Sequence, residues 1–189
     1  MKRQRIRYFT AEEKKKLLSF LEQHSDAKRA EFLYKLMFTT GLRLREVSNL
    51  NVCDVDEKET LTVIGKGKKV REIPLSNSIR KEIKSYLFCK LENGEDIFPS
   101  SPLFISRKRQ RLGCRAIQHD LDKWVKLAGL EGKYSPHALR HTVGVELMRK
   151  TGNIRQVQEY LGHSFVTTTQ IYTHVTKEEL RNCAELLII

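Results

Sequence analysis

Between Ser135 and Val175 the sequence reads SPHALRHTVGVELMRKTGNIRQVQEYLGHSFVTTTQIYTHV, a stretch that holds His137, Arg140, His141, His163 and Tyr172. These side-chain types suit one kind of chemistry. A phosphodiester can be cut without a metal when cations hold its nonbridging oxygens while a side-chain oxygen attacks phosphorus. Arginine offers a planar fork of donors that matches two such oxygens, and histidine exchanges a proton near neutral pH. Residues three and four apart share a helix face, so His137, Arg140 and His141 point towards one locus if their segment is helical. A capped helix with a solvated Arg and a hydrogen-bonded core His is the plain alternative for this segment taken alone.

His137 and His141 also have the i, i+4 spacing of metal ligands. HALRH lacks the glutamate of an HExxH site and sets a cation beside the would-be ion, so no metal is expected. GKGKK at 65–69 lacks the GxxxxGK[ST] spacing and joins strand to strand, not strand to helix, which argues against a nucleotide site. No cofactor is expected.

The elements that must position these residues can be read from periodicity and punctuation. Thr10-x-x-Glu13 has the form of a capping box, and Leu17, Leu18 and Leu21 recur at helical spacing after it, so a first helix begins near Ala11. A second is expected from about Ala27 to Thr39, with Phe32, Leu33, Leu36 and Met37 inward, before Gly41 stops it. A third starts beside Arg43. Thr60 to Ile64 and Val70 to Leu75 flank the glycine-containing GKGKK and read as an antiparallel hairpin with lysines at its tip. Helical signals return at Ser78 to Leu91 and at Cys114 to Leu127 around Trp124, and Leu103 to Ile105 is expected to add a third strand. Ser135-Pro136 opens the helix that carries His137, Arg140 and His141 and ends near Gly152; shorter helices follow around Val157 and Ile171. The expected class is α+β: mostly α-helical with a small antiparallel three-stranded sheet.

Composition narrows the partner. The chain has 189 residues, enough for one domain with its own core, and 35 Lys plus Arg against 23 Asp plus Glu give a formal charge of +12. Such a charge suits a polyanion, and nucleic acid leads. The start, MKRQRIRYFTAEE, has neither an apolar signal core nor a myristoylation site, so a cytoplasmic protein without a membrane partner is expected. Cys53, Cys89, Cys114 and Cys183 are widely spaced and fit reduced thiols. Grip on DNA phosphates is expected from Lys2, Arg3, Arg5 and Arg7 in a basic arm, from Lys68 and Lys69, and from Arg107, Lys108, Arg109, Arg111 and Arg115. The helix from Cys114, with Arg115, Gln118 and His119, is a candidate reader of the major groove.

Taken together, the motifs resemble those of the tyrosine recombinases, the class of phage integrases and Xer proteins. Thr40-Gly41-Leu42-Arg43 with Glu46 looks like the family's first arginine box, and Gly65-Lys66-Gly67 with Arg71-x-Ile73-Pro74-Leu75 looks like its hairpin lysine motif. His137-Ala138-Leu139-Arg140-His141 looks like the HxxR box, and Leu161-Gly162-His163 precedes Tyr172 at the family's usual spacing. Any single box is weak, but their joint occurrence in order is specific. Arg45 and Gly144 stand where many relatives have Ser and Ala, and neither change removes a reactive group.

The resemblance implies a tyrosine-recombinase catalytic fold at 11–175, preceded by the basic arm at 1–10 and followed by a tail at 176–189 that is exchanged between protomers or folded on its own domain. Many relatives carry a further N-terminal helical domain that clasps DNA; a short recombinase and a catalytic fragment both fit here. The resemblance further implies strand cleavage and rejoining through a 3′-phosphotyrosyl bond to Tyr172. Arg43 and Arg140 would hold the phosphate, Lys66 would protonate the leaving oxygen, His137 would assist proton removal, and His163 would hydrogen-bond the phosphate, leaving His141 as structural support. Each has a duller alternative: Tyr172 as a half-buried aromatic, Lys66 as a solvated turn residue, Arg43 as a helix cap, His163 as a core residue. The partners implied are double-stranded DNA, three further copies in a homotetramer on two sites, and an accessory DNA-binding protein of unknown kind. The outcome would be integration, excision, inversion or dimer resolution. A non-cleaving DNA-binding regulator and a type IB topoisomerase-like enzyme are the rival readings.

Overall fold

The computed structural model describes residues 7–55, 57–64, 70–162 and 177–187. Helix α1 (Ala11–Glu22) starts where the capping box places it: Thr10 Oγ1 accepts the Glu13 N–H at 3.2 Å and Glu13 Oε2 accepts the Thr10 N–H at 2.8 Å. After a single 3-10 turn comes α2 (Lys28–Thr40), and here the expectation of one inner face is too narrow. Ala30, Phe32, Leu33, Tyr34, Leu36, Met37 and Phe38 are all buried, because α2 is the central helix, packed by α1 on one side and by later helices on others. A helix enclosed all round needs no polar stripe.

Gly41 ends α2 in the left-handed region, at φ +61°, and a Cβ there would come within 2.5 Å of Leu161 Cδ2. That position therefore needs glycine twice over, for its conformation and for the close approach. Helix α3 (Leu44–Asn49) follows at once. Strands β1 (Thr60–Ile64) and β2 (Val70–Pro74) form the expected antiparallel hairpin, the second strand ending one residue early, with Thr60 opposite Pro74 and Ile64 opposite Val70.

The third strand is not formed among the described residues. Leu103 to Ile105 makes only isolated bridges, Asn51 with Pro102 and Ile105 with Arg111. The reason lies in where the backbone bonds go: the Leu103 N–H donates to the Leu50 carbonyl at 2.9 Å while the Phe104 carbonyl accepts from the Leu112 N–H at 2.9 Å, so the segment is shared between two neighbours and runs a ladder with neither. The segment instead turns back on itself through Ser106 to Arg109 and pins Leu112 to Phe104.

Helix α4 (Asn77–Glu92) is capped by Ser76, and α5 (Cys114–Leu127) buries Ile117, Leu121, Trp124 and Val125 along one stripe. Helix α6 (Pro136–Thr151) opens with proline in its first turn and stops at Gly152, while α7 (Ile154–Leu161) is capped by Asn153 and stops at Gly162; both glycines sit at φ +64°. Helix α8 (Lys177–Leu186) packs on α6, α7 and β2 of its own chain, burying Cys183 and Ala184, with Leu187 buried just beyond its end. The helix expected around Ile171 lies outside the described residues. Among those described, no helix is long and apolar enough to cross a membrane.

Candidate active site

The C-terminal cap of α7 gathers arginines from three distant parts of the chain. Arg140, one turn into α6, is 7% exposed and donates through its two terminal nitrogens to the carbonyl oxygens of Gly41 and Leu161. Arg43 precedes α3 in extended conformation, and its Nη2 donates to the carbonyl of the very next residue, Gly162, at 3.0 Å. The left-handed turn at Gly162 is what aims successive carbonyls at two different guanidinium groups. Arg140 is thereby fixed by neutral acceptors, which hold its plane without cancelling its charge.

Glu46, on the first turn of α3, supplies the counter-charge. Its Oε2 accepts the Arg43 backbone N–H at 2.7 Å and its Oε1 accepts Arg43 Nη1 at 2.8 Å. From β2, Arg71 donates Nη1 and Nη2 in parallel to the two oxygens of the same carboxylate, both at 2.8 Å. Burial of the Glu46 side chain, 6% exposed, works against its ionisation. The bonds from Arg71 and from Arg43 more than offset that burial and hold the carboxyl down at about 2. Arg140 has the opposite balance: burial, then repulsion from Arg43 and Arg71, brings its pKa down to about 10, with Glu46 pulling it back up. It is still a cation at neutral pH.

Three guanidinium groups against one carboxylate leave the cluster electropositive, and Arg43, with 38% of its side chain exposed, is its open face. An anion with two free oxygens is the ligand such a fork pair suits.

The other site residues expected from sequence divide into those the structure describes and those it does not. His137 lies in the first turn of α6 and is exposed, on the same helix as Arg140. The His141 ring packs edge-on against Tyr8 at 5.9 Å between centroids. Lys66, His163 and Tyr172 lie outside the described residues, as do Lys2, Arg3, Arg5, Lys68 and Lys69. In the chain, however, Lys66 belongs to the connection between β1 and β2, and His163 directly follows Gly162.

Among the basic residues expected to meet phosphates, several have work inside the fold. Arg7 donates to Tyr134 Oη at 2.9 Å and to the Glu131 carbonyl, and its guanidinium stacks 4.4 Å from the Tyr134 ring centre. Arg109 donates to the Gly94 carbonyl at 2.8 Å, and Arg111 to those of Ser48 and Leu50 at 3.2 and 3.0 Å. Arg107, Lys108 and Arg115 are exposed. On α5, Gln118 donates to Asp122 at 3.2 Å and His119 is exposed.

Two members of the cluster carry no role in the sequence reading. Glu46 and Arg71 appear there only as letters in motifs. The signal for Glu46 was its place three residues after Arg43, the spacing of a carboxylate that reaches back to a helix start. For Arg71 no local signal exists, because its partner lies on another element.

The sequence profile of the phage integrase family matches residues 7–179. The tyrosine recombinase XerC of Caldanaerobacter subterraneus subsp. tengcongensis is 43% identical over 178 residues, covering 92% of this chain and 49% of its own. The crystal structure of XerA recombinase superposes with a TM-score of 0.73 at 34% identity, covering 93% of this chain and 62% of that one. The XerH site-specific recombinase bound to its palindromic difH substrate, in a post-cleavage complex, gives a TM-score of 0.71 at 26% identity over 84% of this chain and 47% of that one. The chain spans about half the length of the curated relatives it matches.

Proposed function

Since the chain belongs to the phage integrase family, we propose that it is a site-specific DNA recombinase, which cleaves and rejoins strands of duplex DNA through a tyrosyl ester. The observation that carries this is the convergence of Arg43 and Arg140 on successive carbonyls of the α7 cap. Two forks fixed side by side, with one open face, are what a phosphodiester needs if charge is to be neutralised as it builds up on the nonbridging oxygens. Each such preorganised donor is worth about 3 to 4 kcal/mol of barrier.

The reaction then needs a nucleophile and two proton transfers. Tyr172 Oη attacks phosphorus while His137 draws off the phenolic proton; the P–O5′ bond breaks, and Lys66 gives a proton to the departing 5′ oxygen. His163 donates to a nonbridging oxygen. The product is a 3′-phosphotyrosyl ester and a free 5′-hydroxyl, and attack by another strand's hydroxyl runs the step in reverse. The linkage is exchanged, not hydrolysed, so neither ATP nor a metal is required.

The XerH complex supports duplex DNA as the substrate class. For a full exchange we propose four copies on two duplexes. In the single chain α8 covers the α6 and α7 face; in that assembly the same face of a neighbour receives it. Sedimentation with and without a cognate duplex tests the tetramer.

The decisive test is incubation with a nicked cognate duplex, in EDTA, followed by denaturing electrophoresis. A slow-migrating covalent adduct is expected from the wild-type chain and none from Tyr172→Phe. Absence of a Tyr172-dependent adduct would refute the proposal.

A further inference from the structure

Arg71 does not face the phosphate site as Arg43 does; only 13% of its side chain is exposed, against 38% for Arg43. Its whole terminal fork is given to Glu46. Its Nε is buried with no hydrogen-bond partner among the described residues, an uncommon condition for a guanidinium. Its shaft lies against the backbone of Gly162, so closely that a Cβ there would meet Arg71 Cδ at 2.5 Å and Nε at 3.2 Å. One side chain thus touches the hairpin strand β2, the carboxylate that orients Arg43, and the turn whose carbonyls hold Arg43 and Arg140.

We propose that Arg71 is a positioning residue for strand cleavage: by gripping Glu46 with two parallel bonds it fixes the direction of Arg43 and ties the β1–β2 hairpin to the Gly162 turn. This rests on the recombinase reading above. A carboxylate held by Arg43 alone is free to tilt, and Arg43 with it. A second fork from a different element sets the plane of the carboxylate, and a planar pair transmits that plane to Arg43. Lysine would restore the charge but not the plane. The hairpin that bears Arg71 also carries Lys66 in its connection, and Gly162 leads into the segment with His163 and Tyr172. A shift of Arg71 therefore disturbs the frame in which all the reacting groups are set.

The test is the rate of covalent adduct formation on the nicked duplex at saturating protein, for wild type, Arg71→Leu, Arg71→Lys, Arg43→Ala and the double variant Arg43→Ala/Arg71→Leu. Misplacing a fixed donor costs about 100-fold, and that slowing is expected for both Arg71 variants with little change in DNA affinity. In the Arg43→Ala background, adding Arg71→Leu should slow the reaction clearly less than it does in the wild type, because the part of its effect that runs through Arg43 is gone.

A pH profile separates positioning from mere loss of packing. Glu46 is faced by Arg43 from α3, Arg71 from β2 and Arg140 from α6, and stays ionised in the wild type. Without Arg71 the carboxyl loses the partner that lowers its pKa most, so its pKa rises and the ratio of Arg71→Leu to wild-type rate should fall as pH is lowered. Should Arg71→Leu fail to fold, Arg71→Lys, alone and combined with Arg43→Ala, carries the rate comparison, while the pH profile belongs to Arg71→Leu because lysine keeps the charge. Wild-type rates in both variants, multiplying effects in the double variant, or a ratio flat with pH would overturn the positioning role. A wild-type chain that forms no Tyr172-dependent adduct would instead bring down the recombinase reading, and this inference with it.

Discussion

Replacing Glu46 by Gln removes one charge and leaves the shape of the cluster nearly unchanged. In the native fold the carboxylate accepts from Arg71, from the Arg43 backbone and from the Arg43 guanidinium, and sits at about 2 against an ordinary 4.5. At about 1.4 kcal/mol per tenfold change in proton affinity, the ionised form is worth about 3 kcal/mol of stability at neutral pH. The sign follows from folding having lowered the pKa. The stabilisation is complete above about 4.5 and is lost as pH falls towards 2, so that about half of it remains at pH 3. Glu46→Gln should therefore be less stable than wild type by about 3 kcal/mol at pH 7, and the gap should narrow as the wild-type carboxyl becomes protonated. Urea denaturation at several pH values, followed by fluorescence of the lone, buried Trp124, measures both quantities. The competing physics is the cost of burying a charged pair, which can cancel its attraction. A deficit below about 1 kcal/mol at pH 7, or one that is the same at pH 7 and pH 3, would mean that burial dominates and that Glu46 does not hold the arginines together.

Three further outcomes are expected. Thr10→Ala loses the side-chain acceptor that caps α1 and should lower stability by about 1 kcal/mol, measured by the same denaturation. Tyr34→Phe removes a hydroxyl that is fully buried and unpaired among the described residues; stability should hold or rise by about 1 kcal/mol, and a loss would reveal a bond to that oxygen. Gly162→Ala forces a side chain into the left-handed region and onto Arg71; a stability loss of at least about 1 to 2 kcal/mol is expected, together with slower adduct formation.

The cluster also explains why some features are legible in the sequence and others are not. Arg43 and Arg140 were legible because their boxes are contiguous and each places its arginine at or near a helix start. The central burial of α2 was only half legible: periodicity picked Leu33 and Leu36, while Tyr34 and Phe38 are enclosed by helices whose docking no local pattern encodes. The third strand fails to form for a related reason. Leu103 to Ile105 is apolar enough to pair, but packing brings Leu50 to one of its backbone groups and Leu112 to the next, so only isolated bridges form.

What the sequence determined by itself is whatever depends on neighbours within a turn or two: the Thr10 cap, the glycine stops after α2 and α6, the antiparallel hairpin, and the order of the motifs. Tertiary structure decided the rest. Arg140 reaches Gly41 across 99 positions of chain, Arg43 reaches Gly162 across 119, and Arg71 reaches Glu46 across 25. A guanidinium has five donors and no intrinsic preference among carboxylates and carbonyls, so which acceptor it holds is set by where packing brings the backbone, and that is fixed only when the whole core has closed.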